Sequence, residues 1–452
     1  MNRFDTNQRH QQSQLSQQSQ LSRRRFLAMG AGAAAVGSVG LGVRSLLPTG
    51  AASAPGRQGV DLSGAIPAAA QSSGEPILVM IQMEGGNDFL NNVVPLGSGR
   101  YRDLRGDGAV DEANTDPLDE SFGLYAMPFL AGRWGQGNLA VVHGVGRADA
   151  TLSHFDETDA WEKGSIDLSS RTGWMWRALD SIGGGAHDPL IGMSVETASA
   201  ALMGPTWSAA TVPVDGNLPW VQVEPWERSL YDGVRSLSQD RRGDPSLVAQ
   251  VRRGQSMVFD IAQQVGDLSS GYEDTPPAVI SDGAPRYFDG ENDVWSGGLG
   301  RQLRLVASMI NSGVGTRMFH AWQGGYDTHG EQWYQHPRLL LELDHAIREF
   351  FEVLAPGGPP VVVATWSEFG RRPEWNGSGT DHGTAGTHFV VGSSVIGGHH
   401  GSPVDLDRLD SDDNFVPTTD FRSYLAGLVA GVLDIDPASV VDTPTRPLEL
   451  TR

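Results

Sequence analysis

Short, almost unbroken apolar runs recur along this chain, and most of them close on glycine and polar residues. Ile77–Met83 ends in Glu84-Gly85-Gly86-Asn87-Asp88, and Leu139–Gly146 leads into a polar loop. Leu190–Met193, Thr316–Trp322, Pro360–Trp366 and His388–Gly392 are further runs of this kind. Such runs, with little polar alternation, are strands buried on both faces. Helical patterns lie between them: about Ser153 to Glu162 with Ser153 placed as its cap, Arg171–Leu179, Leu299–Ser312, Leu339–Leu354, and about Thr419 to Leu433. The alternation predicts an α/β fold with a mainly parallel central sheet and helices on both faces. From about 195 to 298 the pattern weakens. Helices are predicted near Trp226–Ser236 and Pro245–Val265, then a surface loop rich in Gly, Pro, Ser and Asp from Leu268 to Gly298. This stretch reads as an irregular insertion within a single domain covering 71–452.

Ligands of an open parallel sheet bind at the carboxyl ends of its strands. Polar residues gather there repeatedly. The first strand ends at Asn87 and Asp88, and the second leads to Ser153 and His154. Thr316–Trp322 runs into Gly324-Gly325-Tyr326-Asp327-Thr328-His329, and Pro360–Trp366 into Ser367-Glu368-Phe369-Gly370-Arg371-Arg372. A short loop then supplies Thr380-Asp381-His382-Gly383, with His388 close behind. Carboxylates and neutral imidazoles are the ligands that zinc and manganese accept. Asp327-x-His329 and Asp381-His382 each bring one of both kinds, and Asp88, Glu368 and His388 make the supply sufficient for two divalent ions. Two adjacent ions can clamp the attacking and leaving oxygens of a phosphate or sulfate ester.

Each residue also has a plainer role open to it. A capping Ser153 needs no catalytic purpose, and His154 could equally be a surface histidine. Arg371-Arg372 could hold an anionic substrate or form a salt bridge in this acidic protein. His399-His400, in a Gly-rich loop, reads as solvent-exposed. The acidic run Asp103, Asp107, Asp111, Glu112 lacks an EF-hand spacing and reads as a solvated loop.

Composition removes whole classes of function. The formal charge is −21, which repels phosphate backbones and argues against a nucleic-acid partner. Without any cysteine there are no disulfides, thiol catalysis or thiolate metal sites. Lys163 is the only lysine and lies in no Schiff-base or phosphate-loop motif. The nucleophiles left are Ser, Thr, carboxylates, His and activated water.

The first 70 residues look different. A Gln-rich leader precedes Ser22-Arg23-Arg24-Arg25-Phe26-Leu27, followed by an Ala/Gly-rich apolar stretch from Ala28 to about Leu47. This is the layout of a twin-arginine signal peptide, with cleavage expected near Ala52-Ser53-Ala54 or after Ala68-Ala69-Ala70. The glycines and short length argue against a permanent membrane span. The twin-arginine translocase is the expected export partner, and the periplasm, cell envelope or exterior the expected destination. That route carries folded proteins, so a metal could be loaded before export.

Glu84-Gly85-Gly86-Asn87-Asp88-Phe89-Leu90-Asn91, Val142-His143-Gly144-Val145-Gly146, Ser153-His154-Phe155, Gly324–His329, Ser367–Arg371, Thr380–Gly383 and Pro417–Arg422 together resemble the bacterial domain-of-unknown-function 1501 family. The resemblance runs in the family's order from Ile77 to the end. That family is similar to the alkaline-phosphatase and sulfatase superfamily. The resemblance implies an alkaline-phosphatase-like fold in which Asp88 ligates a metal, Ser153 is the nucleophile, and Asp327, His329, Asp381, His382 and His388 complete the metal shell. Where the superfamily places a carboxylate after one strand, either Glu368 or Asp381-His382 takes that role here. The expected function is metal-dependent hydrolysis of a small anionic ester, with Arg371 available to hold developing charge. A non-catalytic exported binding protein that keeps the fold is the alternative.

Overall fold

The computed structural model describes residues 74–183, 190–205, 207–214, 298–442 and 446–452, with a few positions between 229 and 252. The twin-arginine leader lies outside the described residues, as do almost all of the two helices and the loop expected between Trp226 and Gly298. The chain divides into two compact units, one of Met1–Gln58 with Trp220–Ile261, the other of Gly59–Pro219 with Ala262–Arg452. Every element named below lies in the second unit.

In chain order these are β1 (Ile77–Met83), β2 (Val93–Pro95), α1 (Gly99–Arg105), β3 (Thr115–Pro117), β4 (Phe122–Tyr125), α2 (Pro128–Gly135), β5 (Leu139–Gly146), α3 (His154–Lys163), α4 (Trp174–Ser181), β6 (Gly192–Val195) and β7 (Ala210–Val212). After the long undescribed stretch come α5 (Gly298–Asn311), β8 (Met318–Gln323), α6 (Gln332–Val353), β9 (Val361–Trp366), β10 (Gly370–Arg371), β11 (His382–Gly383), β12 (Ala385–Gly392), β13 (Gly398–His400), β14 (Thr419–Asp420) and α7 (Phe421–Leu433).

The apolar runs become one nine-stranded sheet in the order β13-β5-β12-β9-β1-β8-β6-β7, with β14 also on β5. Only β12 runs antiparallel to its neighbours β5 and β9; the other pairings are parallel. The fold is therefore α/β with a mixed, mostly parallel sheet. Leu78, Met80, Val142, Val362, Ala364 and Trp366 pack on one face with α3, α4 and α7. Val79, Ile81, Val141, Phe319 and Val363 alternate with them and are equally buried, so neither face is left wet. No helix among the described residues is long and apolar enough to cross a membrane.

Several elements differ from the sequence expectation. Helix α6 begins at Gln332, well before the expected Leu339, and carries Pro337 inside it. A proline there removes the bond to the Trp333 carbonyl and crowds it, while the turn before it is still closed by Gln335 N on the Glu331 carbonyl at 3.0 Å. Asp344, on the same helix, accepts the backbone N–H groups of Phe129 (3.0 Å) and Leu130 (2.9 Å) and so caps α2 from outside. His399 is not a loose surface residue. Its Nδ1 faces His143 Nε2 at 2.7 Å, its Nε2 meets Asp119 at 2.9 Å, and the Trp134 ring packs against it at a 52° tilt.

Candidate metal centre

Because β1, β5, β8 and β9 run the same way, their carboxyl ends open on one edge of the sheet. Strand β12 runs back from that edge, so the residues just before it arrive there too. The short β10–β11 ladder pairs Arg371 with His382 and Gly370 with Gly383. These connections bring His154, Asp327, His329, Glu368, Asp381 and His382 together, with Glu84 beside them.

Three imidazoles are held in one sense. His154 Nδ1 meets Glu368 Oε1 at 2.7 Å, His329 Nδ1 meets Asp381 Oδ1 at 2.7 Å, and His382 Nδ1 meets the Leu152 carbonyl at 2.9 Å. Carboxylates and carbonyls accept, so each neutral ring carries its proton on Nδ1 and leaves a lone pair on Nε2. Those Nε2 atoms converge on Asp327. His329 and His382 each approach its Oδ1 at 3.1 Å, His154 approaches Oδ2 at 3.5 Å, and the His329 and His382 Nε2 atoms stand 2.9 Å apart. Converging lone pairs beside a carboxylate repel unless a cation lies among them. With metal–nitrogen bonds of about 2.0–2.1 Å, the donors of a tetrahedral site stand roughly 3.3 Å apart, close to the distances from Asp327 to each of the three rings. One ligand atom each from His154, Asp327 and His382 falls within 4.8 Å of the others. Rings tied through Nδ1 to an acceptor are the usual outer support of metal-bound histidines.

The surrounding residues explain how this geometry is fixed. Arg371 is fully buried. It donates to the carbonyls of Gly86 (2.6 Å), Thr380 (2.8 Å), Tyr326 (2.9 Å) and Gly85, and to Asp327 Oδ1 at 2.8 Å. Burial disfavours the charged guanidinium, and Asp327 is first among the groups that oppose this. Burial would raise the Asp327 carboxyl, but the hydrogen bond from Arg371, with the close approach of the His382 ring, outweighs it and holds it down at about 2. The hydrogen bond to Glu368 raises the His154 pKa, burial lowers that of His382, and the bond from His329 lowers that of Asp381. Gly85 and Gly86 have φ of 122° and 84°; a Cβ would meet Asp327 N at 2.2 Å and the Phe369 ring at 2.4 Å, so glycine is required at both. The Phe369 ring in turn lies 4.9 Å from His154 and 4.4 Å from His382.

Ser153 sits between Leu152, whose carbonyl holds His382, and His154. It is the N-cap of α3, yet its side chain makes no capping bond. Leu152 itself has φ of 59°, a conformation costly for a branched side chain.

Not every candidate joins the cluster. Asp88 is fully buried and spends both oxygens elsewhere, on Arg105 (2.5 Å) and Gln332 Nε2 (2.5 Å). His388 lies three residues into β12, opposite Val142 of β5. Its ring packs among Trp161 and Tyr424, and burial pushes its pKa down to about 3. Asp381 and Glu368 reach the site through the histidines they hold. Arg371 has its donors committed and positions Asp327 instead of facing solvent. Sequence reasoning missed two groups. His154 is a site residue, signalled only by its place after Ser153. Glu84, one residue past β1, bonds the Trp322 indole N–H at 3.0 Å, and its pKa is raised by burial and by the nearby Glu368 charge.

Residues 247–431 match a family model described as protein of unknown function (DUF1501). The match takes in Asp327, His329, Glu368, Arg371, Asp381, His382 and His388, and it supports the family likeness seen in the motifs. No curated protein matches this chain.

Proposed function

We propose that this protein binds a divalent transition metal through the Nε2 atoms of His154, His329 and His382 and the Asp327 carboxylate, and hydrolyses phosphate or sulfate esters there. The convergence of three Nδ1-tethered imidazoles on one carboxylate carries the reading. A nitrogen-rich set with one carboxylate suits zinc, with manganese the next choice. When bound, the ion would supply Lewis acidity toward an ester oxygen. Glu368, Asp381 and the Leu152 carbonyl orient the rings, and Arg371 keeps Asp327 ionised. Ser153, the N-cap of α3 between Leu152 and His154, would be the nucleophile. Its oxygen would displace the alcohol, which leaves with the hydroxyl proton, and water would then release the acid from Ser153. Glu84, on the flank of the cluster beside Glu368, is the carboxylate that a second ion would draw on. We further propose an alkaline-phosphatase-like fold and export by the twin-arginine translocase, as the leader motif suggests.

The committed Arg371 guanidinium, which is not free to meet an ester, favours the alternative of a non-catalytic exported binding protein. Release of p-nitrophenol from its phosphate and sulfate esters separates the two. Metal-loaded protein is expected to turn over one of them, and Ser153→Ala to lower kcat at least ~100-fold. No turnover of either ester by protein shown to contain metal would leave the binding reading standing.

A further inference from the structure

We infer that the ester is borne on a sugar ring, recognised by an aromatic rim beside the metal cluster; this rests on the hydrolase reading above. Among the described residues, the exposed large apolar side chains include three aromatics: Phe155 at 87%, Trp333 at 44%, and Tyr334 at 58%, one face of which is covered by the Arg338 guanidinium at 3.6 Å. Each lies within five residues of a cluster histidine, Phe155 directly after His154 and the other two after His329. Trp333 pairs with Trp375 at 5.9 Å between ring centroids and an angle of 55°. Trp333 lies in the first turn of α6, directly after the loop that delivers His329, and Trp375 in the loop that delivers Asp381-His382. Those loops are stitched together: Asn376 Nδ2 donates to the His329 carbonyl at 3.1 Å, and Ser378 accepts from Glu331 N and Gln332 N at 2.9 and 3.1 Å. The rim is therefore positioned with the cluster.

Its chemistry discriminates between occupants. Exposed Glu331 and Glu374 stand close to Trp333 and Trp375 in the chain, which is strongly acidic, so a polyanion is disfavoured. Aromatic faces interrupted by carboxylates do not form the continuous apolar surface that an acyl chain needs. A pyranose offers what they do match, a C–H face for stacking and hydroxyls for the carboxylates.

Glucose 6-phosphate and ethyl phosphate share a primary alkyl phosphate and differ by the ring. For the metal-loaded protein, kcat/KM is expected to be at least ~10-fold higher for the sugar ester. Trp333→Ala should raise KM for glucose 6-phosphate ~10-fold while leaving kcat and ethyl phosphate unchanged, and Trp333→Phe should recover most of the loss. Equal kcat/KM for the two esters, or an unchanged KM in Trp333→Ala, overturns the inference. If neither ester is hydrolysed while p-nitrophenyl esters are also refused, the hydrolase reading has failed separately. Binding then decides the rim, in that case and equally if only the p-nitrophenyl esters react: glucose 6-phosphate is expected to quench tryptophan emission of the parent but not of Trp333→Ala, and no quenching overturns the inference.

Discussion

Arg371→Met is expected to destabilise the protein by about 3–5 kcal/mol and to weaken zinc binding ~10–100-fold. The size follows from what the guanidinium holds. Four backbone carbonyls and Asp327 accept from this one buried side chain. Methionine fills much of the volume but takes the side-chain donor away from the Gly85, Gly86 and Thr380 carbonyls, and an unsatisfied buried carbonyl is costly. Asp327 also loses the hydrogen bond that fixes its position against the histidines, so the metal site loosens along with the fold. Urea unfolding and zinc titration of the same preparation check both effects. An unfolding midpoint equal to the parent's would show that Arg371 does not organise the strand ends.

The second large effect concerns acid. Burial pushes four imidazoles well below the ordinary histidine value: His143, also disfavoured by His399, to about 3, His320 and His336 to about 4, and His388 to about 3. Below pH 6.5 the unfolded chain takes up protons at these positions while the folded protein refuses them until near its own lower values. Stability therefore rises with pH through this window and is lost as pH falls. Asp344 acts in the opposite sense, because burial pushes its carboxyl up to about 7 and the folded state keeps a proton that the unfolded chain releases. The balance is up to about 4 kcal/mol per pH unit near pH 5. Urea midpoints at pH 7 and pH 5 should differ strongly, and His388→Phe should reduce the slope by about 1.4 kcal/mol per unit. Equal midpoints at the two pH values would contradict this account.

How much of this was legible from the residues depended on the kind of signal. Buried strands announce themselves by continuous apolar runs, so β1, β5, β8 and β9 were read close to their observed bounds. Elements of two or three residues, such as β10 and β11, carry no periodicity, and their pairing comes from tertiary contacts. Spacing could mark Asp327, His329, Asp381 and His382 as candidate site residues because they lie in the connections at the strand ends. It could not show which oxygen or nitrogen each would turn inward. Asp88 looked equivalent to them, yet the distant Arg105 claims it. His388 looked close to His382 in sequence, but a strand advances about 3.3 Å per residue and carries it into the sheet. His154 reads equally well as a surface histidine beside a capping serine, and Glu84 is passed over for Asp88, four residues on, because nothing local marks either side chain as facing the cluster.

The central claim is that the strand-end cluster is a metal centre, and metal analysis of purified full-length protein tests it most directly. The account expects at least one equivalent of zinc or manganese per chain, loss of that metal in Asp327→Ala/His382→Ala, and a lower thermal midpoint after chelation. Substoichiometric metal, together with a midpoint that chelation leaves unchanged, would contradict it.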